Sequence, residues 1–136
     1  MGVDASAEMI RIAVASDPLP DRLRFVRGQA EGLPFGDGQF DLILSTMSFH
    51  HWADQGEGLR EVARALIPGG IFLLADHFVL PLQRVFFATR KRRRRFHKPA
   101  EVGNMLGEAG LAQIEWHDIY KIGPLLLVKG VTARKA

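Results

Sequence analysis

Two short apolar runs with a helical pattern between them constrain the fold of this chain most. Residues 40–44 are apolar apart from Asp41, and residues 71–75 are apolar throughout. Runs of this kind are typical of strands that are buried on both faces of a sheet. Between them, apolar residues line one face of a predicted helix at i, i+3, i+4 and i+7: Leu59, Val62, Ala63 and Leu66. The Pro-Gly-Gly turn at 68–70 should stop that helix, so strands and helices alternate as in an α/β fold.

The amino-terminal part of the chain extends this alternation. Residues 2–4 have the pattern of a strand end, and Ser6 is a suitable N-cap for the helix that should follow. Residues 23–26 alternate like a short strand. Further on, Asp54 with Glu57 three residues later resembles a capping box at the start of the central helix.

The carboxyl-terminal part predicts one helix and a hairpin. Pro99 fits the first position of a helix, and Gly110 fits its carboxyl-terminal cap. Residues 112–120 and 125–131 have strand patterns and are joined by a tight turn at 123–124, so the two strands must be antiparallel. We therefore predict a single domain over residues 1–136, with a doubly wound α/β sheet that ends in an antiparallel hairpin.

Composition narrows the class of protein. A chain of 136 residues is near the common size of one domain, and it has no apolar run near the ~20 residues that span a bilayer. It has no cysteine and no secretory signal pattern, which predicts a cytoplasmic protein without disulfides or thiolate metal sites. The net charge of +3 comes from one segment: residues 82–98 contain eight basic and no acidic residues, and the remainder has 10 basic against 15 acidic residues.

Four segments together resemble the class I S-adenosylmethionine-dependent methyltransferases, in the branch that includes the quinone-biosynthesis enzymes. They are residues 29–35, 40–45, 50–52 and 60–70, and their order and spacing extend over about half of the chain. The resemblance implies a Rossmann-like fold, S-adenosylmethionine as methyl donor and a small-molecule acceptor. The carboxyl-terminal hairpin fits the same family.

The resemblance also implies six cofactor-binding positions: Asp4, Ala5, Met9, Gln29, Ala30 and Ser45. Asp4 matches the carboxylate that accepts hydrogen bonds from both ribose hydroxyls, a task that suits a group with two acceptor oxygens. Many relatives have Asp where this chain has Gln29, whose amide oxygen can still accept from the adenine amine. Asp4 could instead only cap the following helix.

His50 and His51 would border the substrate, where one of them could act as a general base. Asp76 and His77 could line the same cavity. We predict no metal site, because two adjacent histidines without a third ligand at a suitable spacing do not form one.

Three other residues have structural interpretations. Glu61 and Arg64 should form a structural pair on the central helix, and Trp52 should serve packing.

The family's Gly-rich loop, which follows its first strand, has no counterpart in this sequence. It should precede Asp4 by some twenty residues, so we expect an amino-terminally truncated domain that binds S-adenosylmethionine weakly or not at all. Three explanations stay open: a gene start placed too far downstream, a decayed copy, or a second polypeptide that completes the sheet. A non-catalytic remnant or partner subunit is the corresponding alternative function.

The basic run Arg92–Arg95 suggests a further alternative, because such clusters bind the phosphates of nucleic acids. No aromatic residues alternate with the arginines in the way that base stacking requires. We therefore favour a solvated helix face or a lid over the substrate cavity within residues 82–96. Peripheral contact with an anionic membrane surface is an intermediate possibility.

Overall fold

A computed structural model describes residues 1–78, 97–122 and 125–136. Its elements are, in chain order, β1 (Gly2–Asp4), α1 (Ala7–Ala15), β2 (Phe25–Arg27), β3 (Phe40–Thr46), a 3-10 turn (Phe49–His51), α2 (Gln55–Ala65), β4 (Leu66–Asp76), α3 (Pro99–Glu108), β5 (Leu111–Ile122) and β6 (Leu125–Lys135). The predicted helix within residues 82–96, with Arg92–Arg95, and the turn at 123–124 lie outside the described residues. No described helix is long and apolar enough to span a bilayer.

The strands form two sheets rather than one. β1 pairs in parallel with β2, and a separate sheet has the order β3-β4-β6-β5. Within the larger sheet, β3 and β4 are parallel, while β6 is antiparallel to both β4 and β5. The predicted α/β alternation and the carboxyl-terminal antiparallel hairpin are confirmed. The sheet is divided between β1 and β3, which lie on opposite sides of a cleft.

The junction between α2 and β4 differs from the prediction. The helix ends at Ala65, and Leu66 is already extended and pairs with Phe40 of β3. The next pair in register is Leu42 with Ile71, so residues 67–70 bulge out of the strand. The turn at 68–70 therefore lies inside β4, and not between the helix and a strand that begins at residue 71.

Two glycines make this bulge possible. Gly69 has a φ of +77°, in the left-handed region that glycine adopts without strain. A Cβ on Gly70 would lie 2.9 Å from the carbonyl oxygen of Ile67 and 3.2 Å from that of Phe40. The bulge thus packs closely against the backbone of β3, at a residue about thirty positions earlier in the sequence.

The helix caps agree with the prediction in part. Ser6 caps α1 by accepting a hydrogen bond from the Met9 N–H at 3.3 Å. Asp54 caps α2 by accepting from the Glu57 N–H at 2.9 Å. The Asp54 N–H, however, donates to the carboxylate of Glu31 and not to Glu57, so the second half of the predicted capping box is wrong. The loop that contains Glu31 packs beside the start of α2, and this brings the Glu31 carboxylate within hydrogen-bond distance of the Asp54 N–H.

The core lies on one face of the larger sheet. Helices α2 and α3 cover that face, and the core contains the following fully buried side chains: Leu59, Leu66, Phe72, Leu74, Val102, Leu106 and Val131. The opposite face is different, because Leu42 and Leu44 of β3 are 53% and 61% exposed. Helix α1 has no buried residue. The packing is therefore much denser around α2 and β4 than around the cleft.

One ion pair connects α2 with the segment between β2 and β3. Glu61 and Arg64 form two hydrogen bonds, at 2.7 and 2.8 Å. Arg64 also donates to the carbonyl of Phe35 at 2.9 Å and to the carboxylate of Asp37 at 2.7 Å. Glu61 in turn accepts from the Leu33 N–H at 2.8 Å. The predicted structural pair is confirmed, and its partners show that it fixes the connector over residues 33–37.

We expect Glu61→Gln to lower the free energy of unfolding by about 1–3 kcal/mol, because the Arg64 and Leu33 donors lose a charged acceptor. The Arg64 guanidinium holds the pKa of Glu61 below its ordinary value of 4.5. The stabilisation is therefore fully present above about pH 4.5 and is lost as the pH falls through the folded-state pKa. Urea titrations between pH 3 and pH 7 would show the difference between wild type and variant shrinking on the acid side.

Glu57→Gln is the matched control, since it removes an exposed glutamate of the same helix that pairs with Arg60. Exposed pairs of this kind contribute little, so the control should unfold like the wild type. Equal effects of the two substitutions would contradict a special role for Glu61.

Candidate active site

A cleft of about 1050 Å³ separates β1 from β3. It includes the carboxyl ends of both strands, where α/β folds generally bind ligands. All six positions for which the sequence implied cofactor binding line it: Asp4, Ala5, Met9, Gln29, Ala30 and Ser45. Residues that are far apart in the sequence thus surround one space.

The loop after β1 holds Asp4 in a defined position. One oxygen of its carboxylate accepts from the Ser6 N–H at 2.7 Å. The loop backbone is held from β2, because Arg27 donates to the Ala5 carbonyl at 3.1 Å and the Gly28 N–H donates to the Asp4 carbonyl at 3.1 Å. Ser6, and not Asp4, caps the helix. In the described part of the chain, no further hydrogen bond reaches the Asp4 carboxylate, which is exposed beside the cleft.

The loop after β2 packs against the start of α2. Gly58 is buried there, and a Cβ at this position would come within 2.4 Å of the Trp52 ring and 3.3 Å of the Ala30 methyl group. The absence of a side chain on Gly58 therefore allows the loop to approach the helix. The hydrogen bond from the Asp54 N–H to Glu31, at 3.0 Å, holds the same loop. Gln29 is exposed at the cleft.

The loop after β3 contains a strained residue. Met47 has a φ of +54°, which is uncommon for a residue other than glycine, and its N–H donates to the Ala75 carbonyl of β4 at 2.8 Å. Next to it, the hydroxyl groups of Ser45 and Ser48 lie 2.8 Å apart. The turn directs the chain into the 3-10 segment with the two predicted histidines.

His50 and Asp76 form a hydrogen-bonded pair. The ring nitrogen Nδ1 of His50 lies 2.6 Å from one oxygen of Asp76, and the other oxygen accepts from the His50 N–H at 3.0 Å. The His77 N–H also donates to this carboxylate, at 2.6 Å. The Asp76 side chain is 1% exposed and that of His50 15% exposed. A neutral His50 ring that donates from Nδ1 has Nε2 as its basic nitrogen.

His51 has a different environment from its neighbour. Its ring is exposed, lines the cleft and lies 4.0 Å from the His50 ring, measured between centroids. From the sequence, both histidines were predicted to border the substrate. The structure separates them into one that contacts the cleft and one that is held by a buried carboxylate.

Three further residues near the cleft have different surroundings. Trp52 packs edge-on against Phe49 with ring centroids 5.1 Å apart, as predicted, and also lines the cleft. Asp41 is exposed at the start of β3 and is not among the residues lining the cleft. Buried Gln55 donates to the Phe49 carbonyl at 3.0 Å and so supports the 3-10 turn. Across the residues that the structure describes, no group of three potential ligands could hold a metal ion.

Asp76 has a larger role at the site than its position in the sequence predicted. It ends β4, the strand that pairs in parallel with β3, and His50 follows the carboxyl end of β3. Because neighbouring parallel strands end at the same edge of a sheet, that adjacency was the available signal. Neither Glu31 nor Met47 has a comparable signal in its local sequence.

Comparison with known proteins identifies the family of this domain. Residues 1–74 match the family described as "Methyltransferase domain". An uncharacterised methyltransferase, YcgJ of Bacillus subtilis, is 44% identical over 80 residues, which are 57% of this chain and 32% of YcgJ. The phthiotriol/phenolphthiotriol dimycocerosates methyltransferase of Mycobacterium tuberculosis is 41% identical over 75 residues, 55% of this chain and 27% of that protein. The matched segment thus spans about a third of the length of these curated relatives.

Solved structures extend the similarity to nearly the whole chain. The crystal structure of YcgJ has a TM-score of 0.75 at 25% identity and covers 98% of this chain and 81% of its own. A structure of a methyltransferase complex with the activator Trm112 of Haloferax volcanii has a TM-score of 0.80 at 23% identity, with 98% and 70% covered. The Rossmann-like fold is therefore confirmed. With its family match over more than half of its length, this chain belongs to the methyltransferase domain family.

Proposed function

We propose that this domain transfers a methyl group from S-adenosylmethionine to a small-molecule acceptor. The observation that carries the proposal is the convergence of six separate positions on one cleft at the carboxyl ends of β1 and β3. When bound, S-adenosylmethionine supplies a methyl group on a positively charged sulfur. The domain has to bind that donor, align the acceptor with it and remove a proton where the acceptor requires it.

The residues of the cleft fit the donor chemically. Asp4 offers a carboxylate oxygen to the ribose hydroxyls while its other oxygen holds the loop through Ser6. Met9 and Ala30 offer apolar surface to the adenine ring, and Gln29 offers an amide to its polar edge. Ser45, half-buried at the end of β3, offers a hydroxyl oxygen to the positively charged sulfur.

His50 is the proposed proton acceptor, and Asp76 is its positioning residue. His50 is not among the residues that line the cleft, but its ring lies 4.0 Å from that of His51, which is. The 2.6 Å contact with Asp76 orients the His50 ring and would stabilise the imidazolium that forms when the ring takes a proton. His51, which lines the cleft, would contact the acceptor without such support. An acceptor with a phenolic or enolic hydroxyl fits this arrangement best, because its nucleophilic oxygen forms when the proton leaves.

Asp4→Asn should weaken binding of S-adenosylmethionine by about 10- to 100-fold, since a hydrogen bond to a charged group contributes about 1.5–3 kcal/mol. Saturation-transfer NMR on the ribose protons is a suitable measurement, because it detects millimolar dissociation constants. Asp17→Asn is the matched control. Asp17 accepts from the Leu19 N–H at 2.7 Å in the same kind of turn, but it does not line the cleft. Absence of transfer to the wild-type chain at millimolar ligand would contradict the proposed function.

His50→Gln should lower kcat by about 10²- to 10⁴-fold, the usual contribution of a general base, and leave the Kd for S-adenosylmethionine unchanged. The measurement is release of S-adenosylhomocysteine with a panel of phenols and enols. Equal kcat values in wild type and His50→Gln would exclude His50 as the base.

The neighbouring residues should give different results in the same assay. His51→Gln should change mainly KM for the acceptor. Asp76→Asn should lower kcat and also the free energy of unfolding, because a buried acceptor of three hydrogen bonds loses its charge.

A further inference from the structure

We propose that His97 is a positioning residue for His50 and that it acts through the side chain of Gln55. His97 lies just before α3, far from His50 in the sequence, and its position in the sequence gave no indication of such a role. Since His50 is the base in the proposed function, this role of His97 rests on that function.

The peptide group between Phe49 and His50 is held at both ends. The His50 N–H donates to the buried Asp76 carboxylate at 3.0 Å. The Phe49 carbonyl accepts from the Gln55 side-chain amide at 3.0 Å and from the Trp52 N–H at 3.1 Å. Because a peptide group is planar, its two ends cannot rotate independently. These bonds therefore limit the directions in which the His50 side chain can leave the backbone.

The bond to Phe49 determines which way the Gln55 amide faces. A carbonyl oxygen only accepts hydrogen bonds, so the amide nitrogen Nε2 of Gln55 has to face Phe49. The amide oxygen Oε1 then faces His97, whose ring nitrogen Nε2 lies 2.6 Å away. His97 has to supply the proton of this bond, because an amide oxygen has none. His97 thus donates to Gln55, and Gln55 donates to the turn that contains His50.

The surroundings of this pair give its hydrogen bonds more weight than bonds at the surface have. Gln55 is 8% exposed, and the His97 side chain is 24% exposed. The loss of a hydrogen bond to a buried polar group is costly. A Gln55 amide that loses the donor at 2.6 Å would therefore shift toward another donor, and its bond to the Phe49 carbonyl would weaken with that movement.

Glu101 holds the other side of the His97 ring. Its carboxylate lies 3.3 Å from Nδ1 of His97 and accepts from the Lys98 N–H at 3.0 Å. The Lys98 N–H, and after it His97, hold the pKa of Glu101 below its ordinary value of 4.5. An imidazolium ring, which donates from both nitrogens, satisfies both Glu101 and Gln55. The first turn of α3 thereby fixes the ring that supports Gln55.

His97 is not a catalytic residue in this arrangement. It is not among the residues that line the cleft, and its two ring nitrogens face Gln55 and Glu101. Its effect on methyl transfer would come through the orientation of the turn. Asp76 holds the His50 ring as well as the peptide group, whereas Gln55 holds the peptide group alone. Substitution of His97 should therefore lower kcat less than substitution of Asp76.

The test compares His97→Gln with His97→Asn. The glutamine side chain can place its amide nitrogen close to the position of the histidine Nε2, so it retains the donor for Gln55. The asparagine side chain carries the same amide on a chain that is too short to reach Gln55. His117→Asn is the matched control, because the exposed His117 ring lies 3.3 Å from the Thr132 hydroxyl on the outer strand β5.

His97→Asn should lower kcat by about 3- to 10-fold, the effect of one lost hydrogen bond, and leave the Kd for S-adenosylmethionine unchanged. His97→Gln and His117→Asn should both retain the wild-type kcat. In a chain that already carries Gln55→Met, His97→Asn should have no further effect, because the two residues act in series. Equal kcat values for His97→Asn and His97→Gln would overturn the proposal.

Amide hydrogen exchange of the His50 N–H tests the same contact without any substrate. Exchange at His50 should be about 3- to 10-fold faster in His97→Asn than in wild type or His97→Gln, and exchange at Leu74 in the core should be unchanged. Faster exchange at His50 in a chain without methyl transfer would support the role of His97 and contradict only the proposed function. Unchanged exchange at His50, or an equal rise at His50 and Leu74, would overturn the role of His97.

Discussion

The contact between α2 and the connector over residues 33–37 determines the position of β1, α1 and β2 beside the larger sheet. Arg64 donates to two carbonyls and a carboxylate of the connector, and Glu61 accepts from its backbone. The hydrogen bond from the Asp54 N–H to Glu31 adds a second attachment near the other end of the helix. Since the core contacts of α2 fix the helix on the larger sheet, these polar bonds set the distance across the cleft. The geometry of Asp4 relative to Ser45 therefore depends on a helix that contains neither residue.

Local sequence patterns predicted those elements whose structure depends on residues that are close together in the chain. The cap at Ser6, the period of α2 and the hairpin of β5 and β6 follow from residues a few positions apart. The turn at 68–70 was predicted to stop α2, but the helix ends at Ala65, and β4 begins at Leu66, five residues before the predicted strand. The bulge at 67–70 depends on pairing between Leu66 and Phe40, and a pairing over that sequence distance has no signature in either segment alone.

In the candidate site, too, some features could be predicted from the sequence and others depend on contacts between distant residues. The resemblance to methyltransferases pointed to Asp4 and Ser45, and both line one cleft in the structure. The pair of His50 and Asp76 joins residues 26 positions apart and requires the register in which β3 lies beside β4. Once that register is known, the buried carboxylate distinguishes the two histidines, which the sequence alone treats as equivalent neighbours. The α/β class could thus be predicted from pattern, whereas the roles within the site needed the three-dimensional arrangement.

The proposed donor contacts have a thermodynamic consequence for the cleft. They involve Asp4 at the end of β1 and Ser45 at the end of β3, which belong to two separate sheets. A donor that contacts both loops favours the conformations in which the two sheets lie at one distance from each other. The hydrogen bonds of Glu61 and Arg64 to the connector over residues 33–37 favour a fixed distance as well. Loss of these bonds should therefore weaken donor binding, although neither side chain belongs to the proposed donor contacts.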